Sequence, residues 1–150
     1  MVSMIDAFEF QRAPGFLIRR LHQLTVAIFM DEAAAFDITP VQFSILNALM
    51  AAPGSDQVTL SGLVAFDAAT SGSVIARLES KGWVRREHDE NDKRRKLLWL
   101  TAQGAQVAND MQAAVARAQQ RILAPLPADE QSRLVGLVKQ LVSSHASQNG

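Results

Sequence analysis

The sequence predicts a mainly α-helical fold with one small β-hairpin, and three observations carry this prediction. Apolar residues recur at helical spacing near both ends of the chain. Two short segments of helical character, joined by a tight turn, lie in the middle. They are followed by a stretch of strand-like composition that contains both tryptophans. With 150 residues and 48% hydrophobic content, the chain can bury its own core, so we expect one domain over 1–150.

The N-terminal part predicts a helical hairpin. Pro14 suits the first turn of a helix. The apolar residues that follow it at helical spacing are Leu17, Leu21, Leu24 and Ile28. They predict a long helix over about 14–35, with residues 1–13 as an arm. Thr39 is a typical N-cap and Pro40 a typical first residue, so a second helix is expected to run to Ala51, where APGS ends it.

Two short helices are predicted next. Thr59 is the expected N-cap of the segment LSGLVAF. After DAAT, a further helix is expected from Ser71 to Lys81, with Gly82 in the position that favours a left-handed cap. Two short helices joined by a tight turn are typical of a helix-turn-helix.

After Gly82, the segments WVRREH and LLWLT predict a β-hairpin with a basic tip, which would form a wing beside the helix-turn-helix. Thr101 is the expected N-cap of a long helix over about 102–124. Its apolar stripe is Val107, Met111, Val115, Ala118 and Ile122. PLPADE ends this helix, and a last helix is marked by Leu134, Leu137, Val138 and Leu141. Because a small core cannot cover both terminal stripes, we expect a homodimer.

Positive charge is concentrated in one region, although the formal net charge is zero. Residues 21–76 contain no Lys or Arg, whereas 77–96 hold eight of the fifteen. A basic cluster attracts phosphate whatever the total charge, because its field acts within about 8–10 Å. A solvated face neutralised by neighbouring acids explains the pattern equally well. Those acids are Glu79, Glu87, Asp89, Glu90 and Asp92.

The order of elements and three segments of sequence resemble the MarR family of transcription regulators over about residues 14–143. The segments are ITPVQFSIL, DAATSGSVIARLESKGWV and DENDKRRKLLWLTAQG. The last is the most specific, because it matches the family's D-x-R, L-x-L-T and terminal Gly pattern at Asp92, Arg94, Leu98, Leu100, Thr101 and Gly104. The resemblance implies a winged helix-turn-helix over about 56–101, with dimerisation helices over about 14–35 and 102–144. It also implies binding to a pseudo-palindromic operator in double-stranded DNA, and many members are repressors released by small aromatic acids.

The wing is the first candidate site. Arg94 at its tip is expected to enter the narrow minor groove, where the negative potential is enhanced. By resemblance, Asp92 would hold Arg94 or its loop in place; the alternative is a turn aspartate that caps its own backbone. Lys93, Arg95 and Lys96 are expected to contact phosphates, or else to be solvated.

The second of the short helices is the expected reader of the major groove. It would present Thr70, Ser71, Ser73 and Arg77 to the base edges. The alternative for Arg77 is an ion pair with Asp67 or with an acid in the neighbourhood of Glu79. Trp83 and Trp99 are predicted to belong to the core.

A candidate effector site combines the first two helices. Arg19, Arg20 and His22 lie within one turn, with Arg19 and His22 on one face. Phe43 of the second helix could supply a flat apolar wall, so the set suits a small aromatic carboxylate. Alternatively, His22 is a core residue and the arginines pair with Asp31, Glu32 or the second copy.

Other function classes are disfavoured. The chain has no cysteine, which excludes disulfides and thiol sensing, and its three histidines are scattered, so we expect no metal site. No catalytic constellation or phosphate-binding glycine loop is present, so we expect neither an enzyme nor a cofactor. No apolar run approaches the roughly 18 residues of a membrane span, which favours a cytoplasmic protein. A winged-helix protein used only for dimerisation or protein–protein contacts stays open as the alternative.

Overall fold

The computed structural model describes residues 9–149, and the side chains of all of these except Ala68 and Asn149. The elements in order are α1 (Pro14–Glu32), α2 (Pro40–Ala51), β1 (Ser55–Asp56), α3 (Gln57–Val64), α4 (Ala68–Ser80), β2 (Val84–His88), β3 (Lys96–Leu100), α5 (Ala102–Leu123) and α6 (Ala128–Asn149). A short 3-10 turn, Phe10–Arg12, precedes α1, and residues 1–8 of the predicted arm lie outside the described residues. The predicted class, mainly helical with a small hairpin, is confirmed.

Helices α1 and α2 begin where the sequence predicts. Pro14 is the first residue of α1, although the helix ends at Glu32 instead of near residue 35. The hydroxyl of Thr39 accepts the Gln42 N–H at 3.2 Å, and the Gln42 side chain accepts the Thr39 N–H at 3.2 Å. This reciprocal capping box satisfies two N–H groups that the helix itself cannot, and it fixes the start of α2.

Helices α3 and α4 both begin earlier than predicted, because an aspartate caps each of them. Asp56, and not Thr59, is the N-cap of α3, and its Oδ1 accepts the Thr59 N–H at 2.7 Å. Asp67 caps α4, which therefore starts at Ala68 instead of Ser71. Its carboxylate accepts the N–H of Thr70 at 2.7 Å and the hydroxyl of Thr70 at 3.0 Å. A carboxylate at this position also gains from the positive end of the helix dipole.

The wing belongs to a three-stranded antiparallel sheet of order β1-β3-β2. β2 pairs with β3 from Val84↔Leu100 to His88↔Lys96, which confirms the predicted hairpin. β1 pairs with the other edge of β3 at Ser55↔Leu98 and Asp56↔Leu97. This two-residue strand was not predicted, and it joins the start of α3 directly to the wing.

The core lies between helices α1 to α5 and the sheet. Its most deeply buried large side chains are Ile38, Ile45, Leu46, Leu49, Leu60, Ile75, Leu78, Leu98 and Met111. Trp83 packs against the margin of this cluster, whereas Trp99 lies half-buried beside Gly54, with Arg85 over its ring. The predicted core position therefore holds better for Trp83 than for Trp99.

The buried stripe of α5 differs in part from the predicted one. Met111 and Ala118 are buried as expected, together with Gly104, Ala108 and Ala114. Val107 and Val115 lie at the margin of the core. Small residues on the buried face let α5 approach α1 and the sheet closely.

Two helical faces carry large apolar side chains on the outside of the chain. On α1 they are Leu17, Ile18, Leu21 and Leu24, and on α6 they are Val135, Leu137, Val138, Leu141 and Val142. No side chain of 128–148 is buried. Within the described residues, no one helix has the length and apolar character to cross a membrane; α3 and α4 meet that test only as a pair, bent by 107°.

Candidate nucleic-acid interface

Helix α4 turns one face to the core and another to solvent. Ile75 and Leu78 are fully buried, and Ser71 is buried with them. Positions i, i+4 and i+7 share a helix face, so Ser71 points inward and does not reach the surface. The expectation that Ser71 contacts DNA is therefore wrong. Its Oγ has no hydrogen-bond partner among the described residues.

The other candidate residues of α4 occupy its first turn and outer face. Thr70 donates hydrogen bonds from both its N–H and its hydroxyl to the Asp67 carboxylate. These two bonds hold the pKa of Asp67 below its ordinary value. Ser73 is exposed and donates to the Thr70 carbonyl at 3.0 Å. The helix thus presents small side chains at its N-terminal end.

Arg77 is the cation of the outer face of α4. The alternative that it pairs with a nearby acid is not seen among residues 9–149, because Asp67 is bonded to Thr70 and Glu79 accepts from Arg86 Nε at 2.6 Å. Arg77 is exposed, so its guanidinium can reach a phosphate or a base edge.

Arg94 lies at the tip of the wing, and its side chain is 93% exposed. Asp92 Oδ1 accepts the backbone N–H of Arg94 at 3.1 Å and faces its Nε at 3.4 Å. Both expectations for Asp92 are therefore met within the loop, since it caps the turn and also holds the base of the Arg94 side chain.

The other three wing cations differ in their surroundings. Lys93 and Lys96 are exposed and make no ion pair among the described residues. Arg95 instead donates from Nε to Asp56 Oδ2 at 2.7 Å, and its Nη1 lies 3.6 Å from Asp89 Oδ2. Arg95 is thus bonded to Asp56, which lies 39 residues away in sequence, and lies near Asp89 of its own loop. Its side chain is still 51% exposed, so its phosphate contact stays a prediction.

The neutralised-face alternative holds for only part of the basic region. Arg85 pairs with Glu87, and Arg86 pairs with Glu79. Arg77, Lys93 and Lys96 carry no such partner in the described part of the chain, and Arg94 keeps only a long contact with Asp92. Between α3 and the wing lies a groove of about 380 Å³ whose walls include Arg86, Arg94 and Lys96. Four cations of the wing and α4 are therefore exposed to solvent: Arg77, Lys93, Arg94 and Lys96.

The candidate effector residues are not brought together within one chain. Arg19, Arg20 and His22 are exposed on α1. The Arg19 guanidinium lies 5.8 Å from the centre of the Phe16 ring, and Arg20 donates to Gln23 at 3.4 Å. Two of the alternatives are not seen in the described chain, because His22 is exposed and Asp31 and Glu32 bind arginines of α5. A pairing of Arg19 or Arg20 with the second copy stays a prediction.

Those acids bind α5. Arg121 donates to Asp31 at 2.6 Å and to Glu32 at 3.1 Å, and Arg117 donates to Glu32 at 3.0 Å. The bonds from Arg117 and then Arg121 hold the pKa of Glu32 below its ordinary value. The α1–α5 pairing therefore leaves the cations of the N-terminal half of α1 free of these acids.

Phe43 lies elsewhere, and it packs against Phe29 with ring centres 6.1 Å apart. It also lines a groove of about 470 Å³ between α2 and α3. The further lining residues are Ser44, Asn47, Ala48, Ala51, Ala52, Leu63 and Val64. This groove is in the size range of small-ligand sites. Sequence reasoning missed Asn47 and Leu63, since no local pattern shows which residues of α2 and α3 face each other.

A helix-turn-helix with an exposed arginine on an adjacent wing defines a winged-helix DNA-binding protein. Comparison with known proteins agrees with this class. The model of the MarR family matches residues 38–96. The transcriptional regulator HosA of Escherichia coli O157:H7 is 34% identical over 127 residues, which cover 85% of this chain and 93% of HosA. The chain belongs to the MarR family of transcriptional regulators.

Two solved structures show how similar the fold is. A mutant of MarR from E. coli, complexed with operator DNA, superposes with a TM-score of 0.80 and 31% identity over 85% of this chain and 91% of that one. BpsR of Bordetella bronchiseptica superposes with a TM-score of 0.86 and 29% identity over 90% of this chain and 96% of that one. The BpsR structure concerns regulation of its DNA binding by 6-hydroxynicotinic acid.

Proposed function

We propose that this MarR-family chain is a dimeric repressor that binds a pseudo-palindromic operator and is released from it by a small aromatic carboxylate. The observation that carries the DNA-binding part is Arg94, which is 93% exposed at the wing tip and held at its base by Asp92. In this arrangement α4 enters the major groove while the wing reaches the adjacent minor groove.

We assign the DNA contacts to exposed side chains that are not held in short ion pairs within the described part of the chain. Arg94 enters the minor groove, and Lys93 and Lys96 beside it contact phosphates. On α4, Ser73 and Arg77 face the major groove, with Thr70 at its N-terminal end. Because Arg77 is the one cation on the first three turns of α4, much of the sequence preference comes from groove shape.

The effector part rests on the groove beside Phe43 and on the free cations of α1. The apolar face of α1 is exposed, so in a dimer this helix lies against the second copy and carries Arg19, Arg20 and His22 with it. We place the aromatic ring of the effector against Phe43 and its carboxylate against cations from the partner's α1. The effector named for BpsR is such a carboxylate, which supports this chemical class.

The DNA-binding part is tested with duplexes that the wild-type protein selects in vitro from random DNA. Retention of a duplex with two related half-sites, at salt concentrations that abolish binding to unselected duplexes, supports sequence-specific binding. Equal retention of selected and unselected duplexes contradicts it and favours a winged-helix protein used for protein contacts.

The effector part is tested with benzoate, hydroxybenzoate, nicotinate and cinnamate derivatives. Calorimetry measures their binding to the protein, and retention of the selected duplex measures its release. An effector must bind the DNA-incompetent state more tightly, since equal affinity for both states shifts nothing. We expect one of these acids to release the selected duplex, and His22→Ala and Arg19→Ala to weaken that release. His145→Ala and Arg133→Ala, which change the same residue types on α6, are the matched controls. Release from both α1 variants at the wild-type acid concentration contradicts the proposed site.

A further inference from the structure

Asp56 has two roles that meet at one carboxylate. Its Oδ1 caps α3 through the Thr59 N–H at 2.7 Å, and its Oδ2 accepts Arg95 Nε, also at 2.7 Å. Its backbone belongs to β1 and pairs with Leu97 of β3. The Asp56 side chain is only 20% exposed, although it faces the basic groove below the wing.

Arg95 is bonded within the chain through both its backbone and its side chain. Its N–H donates to the Asp92 carbonyl at 2.9 Å, and its carbonyl accepts the Asp89 N–H at 2.9 Å. Its guanidinium lies between Asp56 and Asp89. Arg95 therefore connects the loop that carries Arg94 to the residue that begins α3.

We propose that Asp56 and Arg95 are positioning residues for DNA binding: their ion pair holds the wing loop against the start of α3 and so fixes Arg94 relative to α4. This inference rests on the proposed minor-groove role of Arg94. β1 pairs with β3 only at Leu97 and Leu98, so the wing tip beyond them is part of a two-stranded hairpin and needs a further attachment to keep one position. A wing held in its bound position loses less conformational entropy when it meets DNA.

The direction in which one substitution changes DNA affinity distinguishes a positioning role from a purely electrostatic effect. Removal of a carboxylate from a DNA-facing surface lowers repulsion with phosphate and should tighten binding. If Asp56 positions the wing, its loss weakens binding instead. Asp56→Asn is the suitable variant, because the amide oxygen can still cap α3 while its NH₂ group cannot accept from Arg95. Glu90→Gln removes the same charge from an exposed position of the wing loop and is the matched control.

The first arm of the test needs no DNA. In the full-length protein, hydrogen exchange at the Asp89 and Arg95 N–H groups should rise about tenfold in Asp56→Asn and in Arg95→Gln, with exchange in α4 unchanged. Glu90→Gln should match the wild type. Unchanged exchange at these two groups in both variants overturns the proposal, whatever the fate of the proposed function.

The second arm measures binding to the selected duplex. We expect Asp56→Asn to bind about tenfold more weakly than the wild type, and Glu90→Gln to bind as tightly or more tightly. Arg94→Ala should weaken the wild type about tenfold but Asp56→Asn less than about threefold, because both changes remove the same wing contact. Equal or tighter binding by Asp56→Asn, or full additivity with Arg94→Ala, overturns the inference. Loss of selective binding by the wild type itself would instead refute the proposed function, and the exchange measurement would still decide whether the pair holds the wing.

Discussion

Ser71 is the buried polar side chain of α4 whose hydroxyl lacks a partner in the described structure. Leaving such a group without a hydrogen bond costs free energy, and alanine also has the higher helix propensity. We therefore expect Ser71→Ala to raise the free energy of unfolding by about 0.5–1 kcal/mol in urea denaturation. Ser73→Ala, on the exposed face, should stay within about 0.5 kcal/mol of the wild type. A loss of stability in Ser71→Ala would mean that the hydroxyl has a partner, such as a buried water.

Gly104 shows why glycine stands at the first turn of α5. A Cβ added there would collide with the carbonyl oxygen of Trp83, which itself accepts the Thr101 N–H at 3.0 Å. Because backbone cannot move aside cheaply, Gly104→Ala should lower the free energy of unfolding by about 1–3 kcal/mol. Gly62→Ala in α3 meets nothing within 4 Å and should be neutral or stabilising. Equal stabilities of the two variants in thermal unfolding would contradict the close approach of α5 to the Trp83 carbonyl.

At the scale of elements, substitutions in the wing are predicted to change the affinity for DNA. Arg94→Ala should weaken binding to the selected duplex about tenfold or more, because one minor-groove contact is lost. Lys93→Ala should lower the slope of log affinity against log salt by about 0.9, with little change in sequence preference. Lys139→Ala on α6 is the control for loss of a distant charge. The wing assignment is wrong if both wing variants bind with wild-type affinity and wild-type salt dependence.

Most element positions could be predicted from the sequence, because caps and apolar spacing are local properties. Thr39 with Pro40 set the start of α2, and Thr101 set that of α5. The starts of α3 and α4 were misplaced because aspartates and threonines lie close together, and either is a good N-cap. Ser71 was also placed on the wrong face, although its spacing to Ile75 and Leu78 puts it on their buried side, since each residue turns a helix by about 100°. The two-residue strand β1 is too short to show an alternating pattern.

The sequence predicts which residues belong to the candidate DNA-binding site, but not which of them contact one another. The basic cluster is visible in the sequence, and Arg94 was singled out within it by its place near the hairpin tip and by its match to the family's D-x-R pattern. The partner of Arg95 could not be found, since Asp56 lies 39 residues away and meets it only when β1 pairs with β3. The groove beside Phe43 likewise depends on how α2 packs on α3.

At the scale of the whole molecule, the exposed faces of α1 and α6 predict an obligate dimer. Burial of several of these side chains, at about 1.5–3 kcal/mol each, makes folding and association inseparable. Leu137→Lys on α6 should therefore give a monomeric or unfolded chain in sedimentation, and the wild-type Tm should rise with protein concentration. Val58→Lys is the control, because Val58 is 81% exposed on α3, away from both faces. A folded wild-type monomer at micromolar concentration would contradict the dimer.

The central claim is that two copies of this chain read DNA with α4 in the major groove and Arg94 in the flanking minor groove. Hydroxyl-radical footprinting tests it most directly, because the radical attacks sugars that line the minor groove. On a selected duplex, the wild type should protect two minor-groove segments placed symmetrically about half-sites roughly 10 base pairs apart. Arg94→Ala should lose those two segments but keep the protection of guanine N7 in the major groove, which methylation by dimethyl sulfate measures on the same duplex. Footprints that are asymmetric, or identical for the wild type and Arg94→Ala, would contradict the account.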